Sequence, residues 1–318
     1  MKRHLILPAQ WISYAREISL GEEKDTTYFS ICTLMTQPME YQEMIESFLL
    51  AGFRPDTCEF LYINNTAAIQ VDAFTGLNRL MQSAQGQYII LCHQDVLLNF
   101  DKRDALVSRI DELNRIDPSW AVFGNAGVDR NGTVHACISH PCKINTINDH
   151  LTEKFFAGKL PSRCDALDEN FLVVKRSTKL RFSADLTGFH FYGTDICQIA
   201  NALGFSAWVV DFHLLHKSRG RIKKDFYYSA RNMEIKLKKR HRSEYLQTII
   251  AKLYLGENSL KSRLSEYRLL HYMKKNGTII SIKEMFSGPV ISLPFLWLLH
   301  RLIRPLENLQ RTINKRKS

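Results

Sequence analysis

No stretch of this 318-residue chain approaches the roughly 20 consecutive apolar residues that a membrane span requires. The nearest, VISLPFLWLL at 290–299, is ten residues long and broken by Ser292 and Pro294. The seven cysteines (32, 58, 92, 137, 142, 164 and 197) are odd in number, scattered and free of any CxxC pair. Several sit inside apolar runs, where a reduced cysteine packs as a small hydrophobe. The signatures GxGxxG, GxxxxGK[ST], HExxH and GxSxG are all missing. Their lack argues against a Rossmann dehydrogenase, a P-loop NTPase, a zincin and an α/β-hydrolase. Lys2 and Arg3 precede an apolar stretch, Leu5–Ala9, that is too short for a secretory signal and is interrupted by Pro8. These absences predict a reduced, cytoplasmic protein without a transmembrane helix.

Acidic residues are also scarce in one part of the chain. Beyond residue 215 there are 7 Asp+Glu against 24 Lys+Arg, net +17, whereas residues 1–215 carry 25 against 19, net −6. The overall +11 is therefore a property of the last third. A basic segment of that strength predicts an anionic partner such as a nucleic acid, a nucleotide or a membrane surface. Composition is otherwise that of a globular protein, with 45% hydrophobic and 24% charged residues.

The first 215 residues alternate short apolar strands with amphipathic stretches, the pattern of a mixed, mostly parallel sheet flanked by helices. Strands are predicted at 28–34, 59–63, 88–92, 120–123, 171–174 and 207–210. Helices are predicted from Pro38, over 73–84, around Leu106, Ile110 and Leu113, and over 195–203. The stretch 124–159, rich in Gly, Asn, His and Pro, reads as irregular. Past His216 the segments 225–240 and 259–275 read as basic helices. The tail at 290–304, an apolar stripe with Trp297 flanked by Arg301 and Arg304, suits either a helix in a membrane interface or one docked on the protein's own core. This divides the chain into an N-terminal extension (1–27), an α/β domain (28–220) and a basic helical region (221–318).

Three segments carry candidate chemistry. In YIILCHQDVLL (88–98) five apolar residues run into His93, Gln94 and Asp95, at the end of a strand, where open α/β sheets bind ligands. Asp95 either caps the turn there or holds a hard divalent cation and the phosphates it carries. CDALDENFLVVKRS (164–177) places Asp165 and Asp168 ahead of a strand. GFHFYGTDICQIANALGFSAWVVDFHLLHKSRG (188–220) places Asp195 at a helix start, as an N-cap or a general base, and leads to His213 and His216, the latter a packed residue or a metal ligand.

The strand-ending pair Asn64-Asn65, HQD at 93–95, the Asp-rich lead-in at 165–168 and YGTD through His216 occur in an order and spacing that resembles glycosyltransferases of the GT-A fold. The likeness is closest to the family 2-like bacterial branch with HQDV at its metal-site strand, and it covers about residues 28–220. The resemblance implies that Thr33, with Asn64 and Asn65, lines the nucleotide pocket of a nucleotide-sugar donor, most simply a UDP-sugar. It implies that Asp95, with His93 and His216, holds Mn²⁺ or Mg²⁺. Asp165 and Asp168 face the donor sugar or acceptor, and Asp195 is the base of an inverting transfer. His93 stands where the family motif has its first Asp, and Thr194 where it has a Glu. The implied acceptor is a glycan or a lipid-linked sugar of bacterial surface polysaccharide or lipopolysaccharide. The basic, amphipathic C-terminus then predicts peripheral attachment to the anionic inner face of the cytoplasmic membrane, with no nucleic acid as partner.

Two clusters are read plainly. HACISHPC (135–142) lacks the usual zinc spacing and reads as a loop, and KLKKRHR (236–242) reads as a solvated or lipid-facing helix side. The rival classes are a nucleic-acid-binding protein using the +17 segment, which has no recognised reader motif, and a nucleotidyltransferase on a similar scaffold.

Overall fold

The computed structural model describes residues 15–17, 27–67, 70–141, 152–218, 222–238 and 245–278. The stripe at 290–299 with Arg301 and Arg304 lies outside them, as do Cys142, residues 239–242 of the basic run and most of the N-terminal extension. The chain divides into two compact units, Met1–Gly220 with Gln247–Ile249, and Arg221–Leu246 with Ile250–Ser318.

The first unit contains, in chain order, β1 (Ala15–Glu17), β2 (Phe29–Met35), α1 (Pro38–Leu50), β3 (Cys58–Asn64), α2 (Ala73–Ser83), β4 (Tyr88–Cys92), β5 (Val96–Leu97) and α3 (Arg103–Ile116). It continues with β6 (Trp120–Gly124), β7 (Ala126–Val128), β8 (Val134–Pro141), β9 (Thr152–Ala157), β10 (Ser162–Arg163), β11 (Ala166–Leu167), β12 (Phe171–Lys175), α4 (Tyr192–Ala202), β13 (Ser206–Val209) and β14 (Leu214–His216). Eight strands form one sheet in the order β1-β3-β2-β4-β12-β6-β13-β10. Six of them point the same way, and β12 and β10 run against them. This is the mixed, mostly parallel α/β sheet flanked by helices that the alternation of apolar segments predicts.

The central strands are apolar because both their faces are covered. All five residues of β4 (YIILC) and of β6 (WAVFG) are buried. Helix α1 starts at Pro38, whose missing N–H and fixed φ suit the first helical turn. It buries Tyr41, Met44, Ile45 and Phe48 against the sheet. Helix α2 opens on Asp72, whose carboxylate accepts from the Thr75 N–H at 3.3 Å.

The described residues of the stretch, 124–141 and 152–159, are mostly strand and not irregular. A second sheet runs β11-β7-β8-β14-β5, with β9 added to β8. Residues His135 through Ser139 of β8 are all buried, so no exposed face gives the sequence a two-residue alternation. HACISHPC is therefore mostly strand, not loop. Six described cysteines are free and buried.

The second unit carries α5 (Lys224–Lys238), β16 (Lys252–Tyr254) and α6 (Ser259–Lys275), and β15 (Tyr245–Gln247) pairs with β16. The buried Glu234 of α5 accepts from the Tyr254 N–H at 3.0 Å and from Ser265 Oγ at 3.2 Å, and pairs with Arg231 at 2.7 Å. The Tyr227 hydroxyl donates to the Glu266 carboxylate. Among the described residues, no helix is long and apolar enough to cross a membrane.

Candidate functional site: three segments at the strand ends

The antiparallel strand β12 decides which loops meet. Inserted between β4 and β6, it pairs its first residue, Phe171, with Cys92, the last residue of β4. Its lead-in, 165–170, is thereby laid beside the loop that follows β4, and the His93 N–H donates to the Asn170 carbonyl at 3.0 Å. The second sheet brings the third segment. Strand β14 pairs His216 with Val96 of β5, next to Asp95.

The result is a group in which one donor atom each of His93, Asp95 and His216 lies within 4.8 Å of the others. Asp95 Oδ1 is 3.4 Å from His216 Nε2 and 4.0 Å from His93 Nδ1. Asp95 Oδ2 accepts from the Ser218 N–H at 3.2 Å, and its carbonyl accepts from the Lys217 N–H at 2.9 Å. His140 donates its Nδ1–H to the His216 carbonyl at 3.0 Å. Gln94, between the two ligand candidates, ties this loop to the start of α1. Its Oε1 accepts from the N–H groups of Thr36 and Gln37, at 2.7 and 2.9 Å, just ahead of the first helical residue.

The electrostatics follow the packing. Burial pushes the Asp95 carboxyl up, but the hydrogen bond and charge of His216, then His93 and Ser218, outweigh it and hold Asp95 well below the usual carboxylate range. Burial and the neighbouring His216 push His93 down to about 4, against the pull of Asp95 and Asp168. For His216 burial works downward, and the Asp95 contact reverses it, so its pKa is raised. At neutral pH the group is an ionised carboxylate flanked by imidazoles, one of them neutral. That donor set fits a divalent cation of the borderline class.

The other predicted residues are distributed differently. Thr33 is buried in β2, with its hydroxyl on Met44 Sδ at 3.6 Å. Asn64 is exposed at the end of β3 and closes a turn onto Thr66, accepting from its N–H at 3.1 Å and its Oγ1 at 2.7 Å. Asn65 is buried and exchanges two hydrogen bonds of 2.9 Å with the Val71 backbone. Asp165 accepts from Asn201 Nδ2 at 3.3 Å, on the side of helix α4. Asp168 accepts from the N–H and Nδ2 of Asn170, and its charge reaches both His93 and His216. Asp195 is fully buried, and its two oxygens accept from Ser183 N and Oγ at 2.8 and 2.6 Å. His213 stacks on Phe100 at 3.8 Å and meets Ser139 Oγ at 2.8 Å, apart from the group above. His135 and His140 stand five positions apart on β8, about 16 Å along an extended strand.

Two neighbours of the group escaped the sequence reading. Tyr192, the first residue of α4, places its hydroxyl 2.7 Å from His93 Nε2 and donates to the Glu169 carbonyl at 3.1 Å. Glu169 is half-buried, and burial and the charge of Asp168 raise its carboxyl to about 8, against backbone N–H donors at Phe191 and Gly193. Both stand inside segments named from the sequence, YGTD and CDALDENFLVVKRS. The only cue was their place beside Asp195 and Asp168.

The chain matches no family model. Among solved structures it is similar to a mannosyltransferase from Pyrobaculum calidifontis, PcManGT, in complex with GDP-Man and Mn²⁺. Sequence identity is 10% and the TM-score 0.44, over 90% of this chain and 83% of that one, a likeness that carries no functional weight. Among curated proteins, one of Fuscovulum blasticum named "ATP synthase subunits region ORF 6" is 31% identical over 242 residues, which span 76% of this chain and 96% of that protein. The chain belongs to the family of that ORF 6 protein.

Proposed function

We propose that the protein is a metal-dependent glycosyltransferase. It takes a sugar from a nucleoside-diphosphate donor, a UDP-sugar, and joins it to a hydroxyl of a glycan or lipid-linked acceptor in bacterial surface polysaccharide or lipopolysaccharide synthesis. The observation that carries this reading is the meeting of His93, Asp95 and His216 beyond the carboxyl end of β4. Ligands of open α/β sheets bind at such strand ends, and a buried carboxylate between imidazoles is matched by a cation.

A divalent cation bound by those three residues would supply the positive charge that a departing diphosphate requires. The chain's own groups do the rest. Asp95 and the two imidazoles would hold that cation beyond the end of β4. The exposed Asn64, at the end of β3, borders the nucleotide. Thr33 and Asn65 act indirectly, Thr33 by tying β2 to Met44 of α1 and Asn65 by holding the Val71 backbone. Asp165 and Asp168 flank the sugar and acceptor side. The acceptor hydroxyl loses its proton to a carboxylate as it attacks the anomeric carbon, and the anomeric centre inverts.

The resemblance gives the proton-accepting role to Asp195, which must then exchange its Ser183 bonds for the acceptor hydroxyl. A second reading gives it to Glu169, half-buried beside Asp168; its carboxyl holds a proton up to about pH 8, so as the base it acts only once ionised and turnover rises with pH through that range. Loss of the base costs about 10²- to 10⁴-fold in turnover. Comparing Asp195→Asn with Glu169→Gln identifies it: the variant showing that loss in kcat, with its melting temperature kept, marks the base.

The test of the function is release of nucleoside diphosphate from a panel of nucleotide sugars with Mn²⁺. Wild type turns over one of them and Asp95→Ala does not. Full activity in Asp95→Ala, or release of pyrophosphate in place of the diphosphate, contradicts the reading, the second outcome pointing to a nucleotidyltransferase. The +17 segment is assigned to the anionic inner face of the cytoplasmic membrane, where a lipid-linked acceptor would be met.

A further inference from the structure

The two contacts of the Tyr192 hydroxyl bear on the state of His93. A backbone carbonyl only accepts, so both contacts are hydrogen bonds only when the single phenolic proton goes to Glu169 O, 3.1 Å away. The phenolic oxygen, 2.7 Å from His93 Nε2, must then accept, and the ring nitrogen must carry its proton. Neutral His93 is therefore the Nε2–H tautomer. Its lone pair lies on Nδ1, the atom 4.0 Å from Asp95 Oδ1. The chain Glu169 C=O, Tyr192 O–H, His93 Nε2–H runs one way only, and it leaves a bare imidazole nitrogen facing the carboxylate.

The chain of bonds is held rigidly. Tyr192 is buried and packs edge-on against Phe74 and Phe182, with ring centroids 6.4 and 5.7 Å away. The next residue, Gly193, has no room for a side chain: a Cβ there would lie 2.4 Å from the Leu167 carbonyl oxygen. That close approach seats the first turn of α4 on the backbone that leads to Glu169.

We propose that Tyr192 is a positioning residue for the cation site, holding His93 as an Nδ1 donor. This rests on the metal reading given above. A partner that orients a ligating histidine typically contributes 10- to 100-fold in metal affinity.

The experiment titrates the full chain with Mn²⁺ by electron paramagnetic resonance and reads the His93 tautomer by ¹⁵N NMR in the metal-free protein. Wild type should bind Mn²⁺ and show a protonated Nε2. Tyr192→Phe keeps the packed ring and removes only the hydroxyl. It should stay folded, lose about 10- to 100-fold in Mn²⁺ affinity and change the tautomer ratio. If wild type binds no Mn²⁺, or Asp95→Ala binds it as well as wild type, the metal reading itself fails. If wild type binds Mn²⁺ through Asp95 but Tyr192→Phe matches it in affinity and tautomer, the role of Tyr192 fails alone.

Discussion

Asp95 and Glu169 are both carboxylates in a partly desolvated place, yet their protons behave oppositely. Asp95 has His216 at 3.4 Å and stays ionised, whereas Glu169 has Asp168 as its neighbour and holds its proton up to about pH 8. The consequence for stability has a definite sign. In the unfolded chain Glu169 ionises near its ordinary 4.5, so between about pH 5 and 8 the folded state binds the extra proton and stability falls as pH rises. Chemical denaturation of Glu169→Gln should show a shallower fall over that window than wild type; parallel curves would mean that the carboxyl is not raised. The residues most visible in the sequence were those ending an apolar run. His93 and Asp95 follow YIILC directly. Tyr192 was not visible, because its partners are a ring nitrogen 99 positions away and a backbone carbonyl, and a carbonyl leaves no trace in residue identity.

Helices and central strands were legible for the same reason: each has a continuous apolar face or is apolar throughout, as β4 and β6 are. The short strands were not. β5, β10 and β11 have two residues each, too few to show any period. β14 has three, and it is the one that delivers His216. The reversed insertion of β12 between β4 and β6 also leaves no local mark, although it brings 165–170 to the end of β4. Helix α4 begins at Tyr192, three residues before the predicted start, because Phe191 turns the chain with φ at 67°. Gly193 offers a test at this scale. Alanine is the better helix former by up to about 1 kcal/mol, so propensity alone predicts that Gly193→Ala stabilises. Contact with the Leu167 carbonyl predicts the reverse, a loss of about 1–3 kcal/mol. Urea denaturation decides between them.

At the scale of the whole chain, the charge of +11 separates into a net −6 part holding the candidate site and a net +17 part beyond it. The membrane assignment rests on that division, with roughly 1 kcal/mol of attraction per basic residue close to anionic lipid. The full chain should co-sediment with vesicles containing phosphatidylserine at low salt, bind neutral vesicles poorly, and be released at about 0.5 M salt, where screening is short-ranged. Equal binding to neutral vesicles would contradict an electrostatic attachment, and preferential capture by duplex DNA would favour the nucleic-acid alternative. The central claim is narrower: His93, Asp95 and His216 form a cation site that serves a nucleoside diphosphate. It is tested most directly by a crystal of the protein soaked with Mn²⁺ and UDP, with data collected at the manganese absorption edge. An anomalous peak bounded by those three side chains, with diphosphate density against it, is the expected result. A peak elsewhere, or diphosphate density remote from Asp95, would contradict it.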